Sequence, residues 1–384
     1  MAARAKAMKA EGIDVISMSL GEPDMDTPET VRRAAQEAID NHWSHYGPVP
    51  GISSLREAVA ASYSSEKLDR VSNHSTGYEA NDVLVSVGAK MAIFDAIQAI
   101  INPGDEVIIP MPSWVSYGEM VKIAEGVVVP VRTNFEDNYC LTPEQLRGAL
   151  SAKTRMLILC SPNNPTGSVY SHEQLADIVA VVREYPDVAI ISDEIYNSLV
   201  YGSASRGSSH STEAPSMACF PEIADRLVII NGVSKAYAMT GYRVGWLLCK
   251  NRDFIAACTR LQGQQLTCAT MVAQKAAEAA LTGSQDCVEA MRRTFDERRE
   301  LICRLAAEIP GFRFREPQGA FYLFPDVRAI GTGDEVAERL LEEAHVAVVS
   351  GSAFGCPECI RLSYAISTDE IREAMRRIKE VLSR

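Results

Sequence analysis

Between residues 82 and 249 the chain repeats one grammar: a short run rich in Val, Ile and Leu, a polar or Gly/Pro turn, then a longer stretch with helical spacing. The runs fall at 83–87, 106–109, 126–131, 156–160, 189–192, 227–231 and 244–249. Runs apolar on both faces leave no side for water, so they belong in a sheet covered by helices. This predicts an α/β fold built on one mostly parallel sheet of seven strands. Such sheets bind ligands beyond the carboxyl ends of their strands, which makes the residues just after each run the first candidates for chemistry.

Beyond residue 283 the texture changes to a long charged helix near 291–308, a Gly/Pro turn at 317–319, and short strands near Phe321 and Ile360. That pattern predicts a smaller α+β domain. The first forty residues carry their own punctuation at Gly21 to Pro23 and are expected to pack on it. A length of 384 residues with 47% hydrophobic content suits two cores. The expected division is a large domain at 44–285 and a discontinuous small domain at 1–43 and 286–384.

A formal charge of −12 opposes polyanions, and no basic cluster with interleaved aromatics stands against it, so nucleic acid is not an expected partner. No apolar run reaches the roughly 18 residues of a membrane helix, and no apolar signal segment opens the chain. The expectation is a cytoplasmic protein without membrane contact, its basic, Ala-rich residues 1–10 forming an amphipathic helix rather than a transit peptide. Ten cysteines are scattered singly, as buried thiols in a reducing compartment would be, except for Cys356-Pro357-Glu358-Cys359. That spacing suits half a zinc site or a redox pair, but no second pair or His motif completes a site, and no metal is expected.

Three strand ends carry reactive groups. Asn231-Gly232-Val233-Ser234-Lys235 offers an amine, and Arg243 follows. Ser192-Asp193-Glu194-Ile195-Tyr196 offers an acid and a phenol, and Ser161-Pro162-Asn163-Asn164-Pro165-Thr166-Gly167 offers an amide. Taken singly, Lys235 reads as a surface lysine, Asp193 as a helix cap and the Asn/Pro/Gly stretch as a tight loop. Together at one sheet edge they form a cofactor site.

With these motifs in order, the chain resembles the fold-type-I pyridoxal-phosphate aminotransferases, in the branch that holds bacterial-type aspartate aminotransferases and the prephenate aminotransferases of plants and bacteria. The resemblance runs nearly end to end, through Gly21-Glu22-Pro23-Asp24, Tyr46-Gly47-Pro48-Val49-Pro50-Gly51, Gly88-Ala89-Lys90, Ser113-Trp114-Val115-Ser116-Tyr117 and Arg361-Leu362-Ser363-Tyr364-Ala365.

The resemblance implies pyridoxal 5′-phosphate held on Lys235, which serves as nucleophile and then as proton carrier. It implies Asp193 against the pyridine nitrogen, Tyr196 and Asn164 at the phenolic oxygen, and Trp114 stacked on the ring. Gly88, Ala89, Lys90 and Arg243 would hold the phosphate, with Tyr46 reaching the neighbouring subunit of a homodimer. Arg361 would grip the α-carboxylate of an amino acid or 2-oxo acid, with Gly21, Asn164 and Trp114 beside it. Lys90 would meet a distal carboxylate, favouring aspartate and 2-oxoglutarate by a ping-pong mechanism, with prephenate/glutamate or aromatic transfer as the alternative. Two features depart from the pattern. Gly232 stands where many relatives carry a phosphate-binding serine, leaving the role of Ser234 open, and the chain begins too close to Gly21 to display a substrate-binding Ser/Thr segment. A lyase on the same fold is the nearest rival, and no Gly-x-Gly-x-x-Gly after a strand supports a nicotinamide enzyme.

Overall fold

A computed structural model describes residues 2–64, 77–202 and 213–384 of the chain. In chain order its strands are β1 (Ile16–Ser17), β2 (Val83–Ser86), β3 (Glu106–Met111), β4 (Val127–Arg132), β5 (Thr154–Cys160), β6 (Ala189–Asp193), β7 (Leu227–Gly232), β8 (Gly245–Leu248), β9 (Tyr322–Leu323), β10 (Val346–Ala347), β11 (Val349–Ser350) and β12 (Ile360–Ser363). Seven of them form one sheet in the order β2-β8-β7-β6-β5-β3-β4. Strand β8 is antiparallel to both its neighbours, and the remaining pairs are parallel. The mostly parallel seven-stranded α/β architecture is therefore present.

Side chains alternate across the sheet, and both faces are buried. Leu157, Leu159, Ile190 and Ile229 enter one apolar cluster, while Met156, Ile158, Ile191 and Ile230 enter the other. The second face is covered by the helices Gly88–Ile100, Ser116–Ile123 and Arg252–Gln265, which contribute Ile93, Ile97, Tyr117, Val121 and Cys258. The helices Ser53–Ser62, His172–Val182 and Met271–Thr282 cover the first face. One run differs from expectation: β4 is an edge strand with no fully buried residue, because only β3 pairs with it.

The C-terminal part builds a second core. Antiparallel β11-β12-β9 packs with the helices Asp286–Ala306 and Thr368–Leu382, burying Phe295, Ile302, Ile371 and Ile378. Strand β1 joins this part by parallel pairing with β10, Ile16 opposite Val346. The helix Ala2–Ala10 adds Ala5 and Met8 against Leu341 and Ala347. The helix Glu29–Asp40 goes the other way, its stripe of Val31 and Ala35 packing in the first-face cluster of the large sheet. The first forty residues thus serve both cores rather than the smaller one alone.

A close backbone approach lies where β8 begins. A Cβ on Gly245 would fall 2.3 Å from the Ala89 nitrogen and 2.6 Å from the Gly88 carbonyl carbon. Backbone atoms cannot swing aside as a side chain can. Gly245→Ala is expected to lower unfolding free energy by about 1–3 kcal/mol, the range for overpacking, in a denaturant titration. A wild-type midpoint would contradict the close approach.

Candidate active site

Strands β5, β6 and β7 are neighbours and parallel, with Cys160 opposite Asp193 and Asp193 opposite Ile230, so their carboxyl ends finish level. Asn164 follows β5, Asp193 closes β6, and Lys235 follows β7. Strand β2 runs the same way as β7, since both oppose β8, and delivers Ala89 and Lys90 to this edge. Antiparallel β8 begins here, with Arg243 just ahead of it, and the turn after β3 supplies Trp114. From the smaller core come Gly21, beyond β1, and Arg361 on β12. These residues and Tyr196 line one cleft of about 490 Å3.

Gly88 and Tyr46 stand apart from that lining. Gly88 lies directly behind it, where a Cβ would sit 2.5 Å from Arg243 Nη2. Its φ of +79° and the φ of +55° at Arg243 are both left-handed, so two unusual backbone turns meet at this corner. The helix Gly88–Ile100 starts there, and its N-cap Val87 offers no side-chain acceptor. Its first N–H groups and the positive end of its dipole therefore favour an anion, which Arg243 can fork. Tyr46 is 88% exposed and remains outside the cleft of a single chain.

Lys235 donates to the Gly21 carbonyl oxygen. Burial is the main cause that lowers its amine to about 8; Arg361 and Arg243 add to the drop, whereas Glu22 and Asp193 oppose it. A neutral, nucleophilic amine is thus available near physiological pH. Asp193 is 4% exposed, and burial raises its carboxyl to about 6. The Tyr117 hydroxyl, 2.6 Å from Oδ2, and the Ile195 N–H, 3.2 Å from Oδ1, hold it below where burial alone would put it. On the opposite face of the strand end, Glu194 accepts from the hydroxyls of Ser192, Ser216 and Tyr63, and Tyr63 in turn accepts from Asn231 beside Gly232.

Arg361 is 6% exposed. Its Nη1 donates to Asn164 Oδ1 at 2.9 Å and its Nη2 to the Ser19 carbonyl at 2.8 Å, and its guanidinium lies over Tyr322 at 4.5 Å. Its buried Nε has no partner among the described residues. A guanidinium so enclosed, with a donor to spare, can take a carboxylate. Tyr196 pairs with Tyr322 through hydroxyls 2.8 Å apart. Lys90 is exposed at the rim, with its Nζ 4.7 Å over the Trp114 ring. The segment carrying Ser19 and Gly21 is anchored by Asp24, whose two oxygens accept from Arg298 at 2.6 and 2.9 Å, and by Glu22, which accepts from Thr240.

Residues 13–378 match the family model "Aminotransferase class I and II". An aspartate aminotransferase of Bacillus sp. (strain YM-2) is 44% identical over 382 residues, covering 98% of this chain and 93% of that protein. A bifunctional aspartate aminotransferase and glutamate/aspartate-prephenate aminotransferase of Petunia hybrida is 39% identical, covering 99% and 79%. The crystal structure of an aspartate aminotransferase from Rhizobium meliloti superposes with a TM-score of 0.92 at 37% identity, covering 100% of this chain and 95% of that one. The chain belongs to the class I and II aminotransferases, and it is a transaminase.

Sequence reasoning left Tyr117, Tyr322, Glu22 and Thr240 without a role, although all four line the cleft. Tyr117 had a signal, since it follows Trp114 by three residues and so shares its side of a helical turn. Tyr322 had none. Ser234 also lines the cleft. The Tyr117 hydrogen bond favours the charged form of Asp193, so Tyr117→Phe should raise the Asp193 pKa above about 6. A carbon-detected NMR titration of the Asp193 carboxyl reads this, and an unchanged midpoint would remove Tyr117 from the site's electrostatics.

Proposed function

We propose that this aminotransferase is a homodimeric, cytoplasmic enzyme that binds pyridoxal 5′-phosphate and moves the amino group of L-aspartate to a 2-oxo acid such as 2-oxoglutarate. The observation that carries the reading is a half-buried amine lowered to about 8, sharing a cleft with a buried carboxylate from the next strand end. The cofactor suits these residues. The corner at Gly88, which a Cβ would fill, and the unshared first turn of the helix Gly88–Ile100 suit a phosphate. Asp193, ionised at neutral pH, suits a protonated ring nitrogen, and such a cation would lower its pKa further.

When bound, the cofactor supplies an electron sink for negative charge at the substrate α-carbon. The chain's own residues do the rest. Lys235 carries the cofactor through its amine and then takes and returns the α-proton. Tyr196 and Asn164 offer hydrogen bonds to the ring oxygen, and Trp114 covers the ring face. Ala89, Lys90 and Arg243 hold the phosphate, and Tyr46, exposed in one chain, completes that site in a second copy. Arg361 takes the α-carboxylate, each charge-assisted bond being worth about 1.5–3 kcal/mol. Gly21 bounds the substrate on the side where Lys235 reaches its carbonyl.

Two observations favour aspartate: the name of the Bacillus relative, and Lys90 at the rim, where a cation can meet a distal carboxylate. The Petunia relative, which also acts on prephenate by its name, supports a second reading in which a larger dicarboxylate enters.

Lys235→Ala should bind the cofactor without a covalent bond and lose turnover by a factor on the order of 10³ or more; normal turnover would refute its role. Lys90→Ala should raise KM for dicarboxylic substrates more than for neutral amino acids, and equal effects would refute the dicarboxylate assignment. Covalent capture of added cofactor needs the neutral amine, whose share grows as pH rises through about 8. Stopped-flow capture rates from pH 6 to 9 should rise accordingly, and a flat profile would contradict the lowered lysine.

A further inference from the structure

The turn Cys356-Pro357-Glu358-Cys359 takes no part in the site described above. Its two thiols are free and in contact, with Cys356 Sγ 3.3 Å from Cys359 Sγ. A disulfide spans about 2.05 Å, so roughly 1 Å of closure separates the pair from a bond. Backbone holds the two cysteines face to face. Cys359 N–H donates to the Cys356 carbonyl at 3.0 Å, Cys356 N–H to Gly351 at 2.9 Å, and Gly351 N–H back to Cys359 at 2.7 Å. Behind the turn, a Cβ on Gly351 would fall 2.1 Å from the Cys356 oxygen, and one on Gly333 would fall 2.1 Å from the Cys359 oxygen. The turn therefore cannot relax backwards and keep its thiols apart.

Cys356 is 4% and Cys359 0% exposed, but the neighbours Gly355 and Pro357 are both exposed. The pair thus lies one layer below the surface, with Cys356 the more exposed of the two thiols. The contact with Cys359 and burial raise the Cys356 thiol, which keeps its thiolate fraction small and its oxidation slow at neutral pH. The turn is also mechanically close to the cleft. Cys359 precedes Arg361 by two residues on the same chain run, and β12 pairs Arg361 with Val349. Phe354 stands 4.9 Å from the Arg361 guanidinium, and its carbonyl accepts from Ser113 N–H beside Trp114 at 3.1 Å.

We propose that Cys356 and Cys359 form a reversible oxidation site, closed into an intramolecular disulfide by a hydroperoxide, and that closure shifts the start of β12 and weakens the grip of Arg361 on a carboxylate. The Cys356 sulfur attacks a peroxide oxygen; the O–O bond breaks, one water leaves, and the sulfur becomes a sulfenic acid. The Cys359 sulfur attacks that sulfur, forming the S–S bond and releasing a second water. Two thiols are oxidised, one hydrogen peroxide is reduced to two waters, and the thiol protons end in those waters. The disulfide stands on the turn alone, whereas its effect on substrate rests on the role proposed for Arg361.

The test treats the full-length holoenzyme with hydrogen peroxide at one equivalent, blocks remaining thiols under denaturing conditions, and maps peptides by mass spectrometry. The expected product is a peptide joining Cys356 to Cys359, short of two hydrogens, with KM for L-aspartate raised several-fold, kcat little changed, and both restored by dithiothreitol. Cys356→Ser should keep the untreated KM and show no response, and Cys359→Ser serves as the second control should the first variant not fold. Recovery of both cysteines as blocked thiols overturns the oxidation site. A disulfide that leaves KM unchanged overturns the coupling to Arg361, and a KM rise that persists in the serine variant assigns the effect to another residue. An untreated enzyme inactive on aspartate would fail the functional reading instead, leaving the peptide map to decide the disulfide.

Discussion

An ammonium group buried in protein loses its hydration, and it keeps its proton only if partners replace the water. Lys235 sits under that constraint. Its amine has one backbone carbonyl, that of Gly21, and opposing fields from Glu22 and Asp193 on one side and two arginines on the other. The balance leaves it lowered to about 8, so the group proposed as the nucleophile is poised to act as one. Much of the surrounding structure can be read as what is needed to keep an amine in that condition. Asp193 is fixed by Tyr117, and the strand end bearing it is braced from behind by the hydrogen bonds of Glu194, Tyr63 and Asn231.

The same constraint explains why the N-terminal segment is tied across two cores. Residues 19–24 supply acceptors to both Arg361 and Lys235, and they must stay in place although they belong to neither sheet. The bidentate pair of Asp24 with Arg298 does this from the long helix Asp286–Ala306, and Thr27 adds a bond to the Ala238 carbonyl. Strand β1 fixes one end of the segment on β10, and the helix Glu29–Asp40 fixes the other on the large core. Among the described residues no group of His, Cys, Asp and Glu side chains is placed to hold a metal, and no helix is long and apolar enough to cross a membrane.

Sequence disclosed the sheet because burial on both faces writes itself as continuous Val, Ile and Leu, and it disclosed Asn164, Asp193 and Lys235 because each follows such a run. Arg361, Trp114 and Gly21 needed the family resemblance, since the short strands and turns of the smaller core leave little periodicity to read. Tyr322 stayed hidden: its part in the cleft depends on Arg361 lying over its ring and on Tyr196, 126 residues earlier in the chain, meeting its hydroxyl. The destination of the helix Glu29–Asp40 was illegible for a related reason. Its stripe of Val31, Ala35 and Ala38 shows that one face is buried without showing against what. The half-exposed edge position of β4 was not legible, because a run of valines looks the same at an edge as in the middle.

The central claim is that Lys235 carries a cofactor able to accept an amino group from a dicarboxylic donor. The most direct measurement is the visible spectrum of the cofactor-loaded protein before and after L-aspartate is added with no 2-oxo acid present. The account predicts that the band of the lysine-bound cofactor converts to that of its amine form, with one oxaloacetate released per Lys235. A band that persists unchanged, with no oxaloacetate, would contradict aspartate as donor, and a protein that develops no lysine-linked band at all would contradict the role given to Lys235.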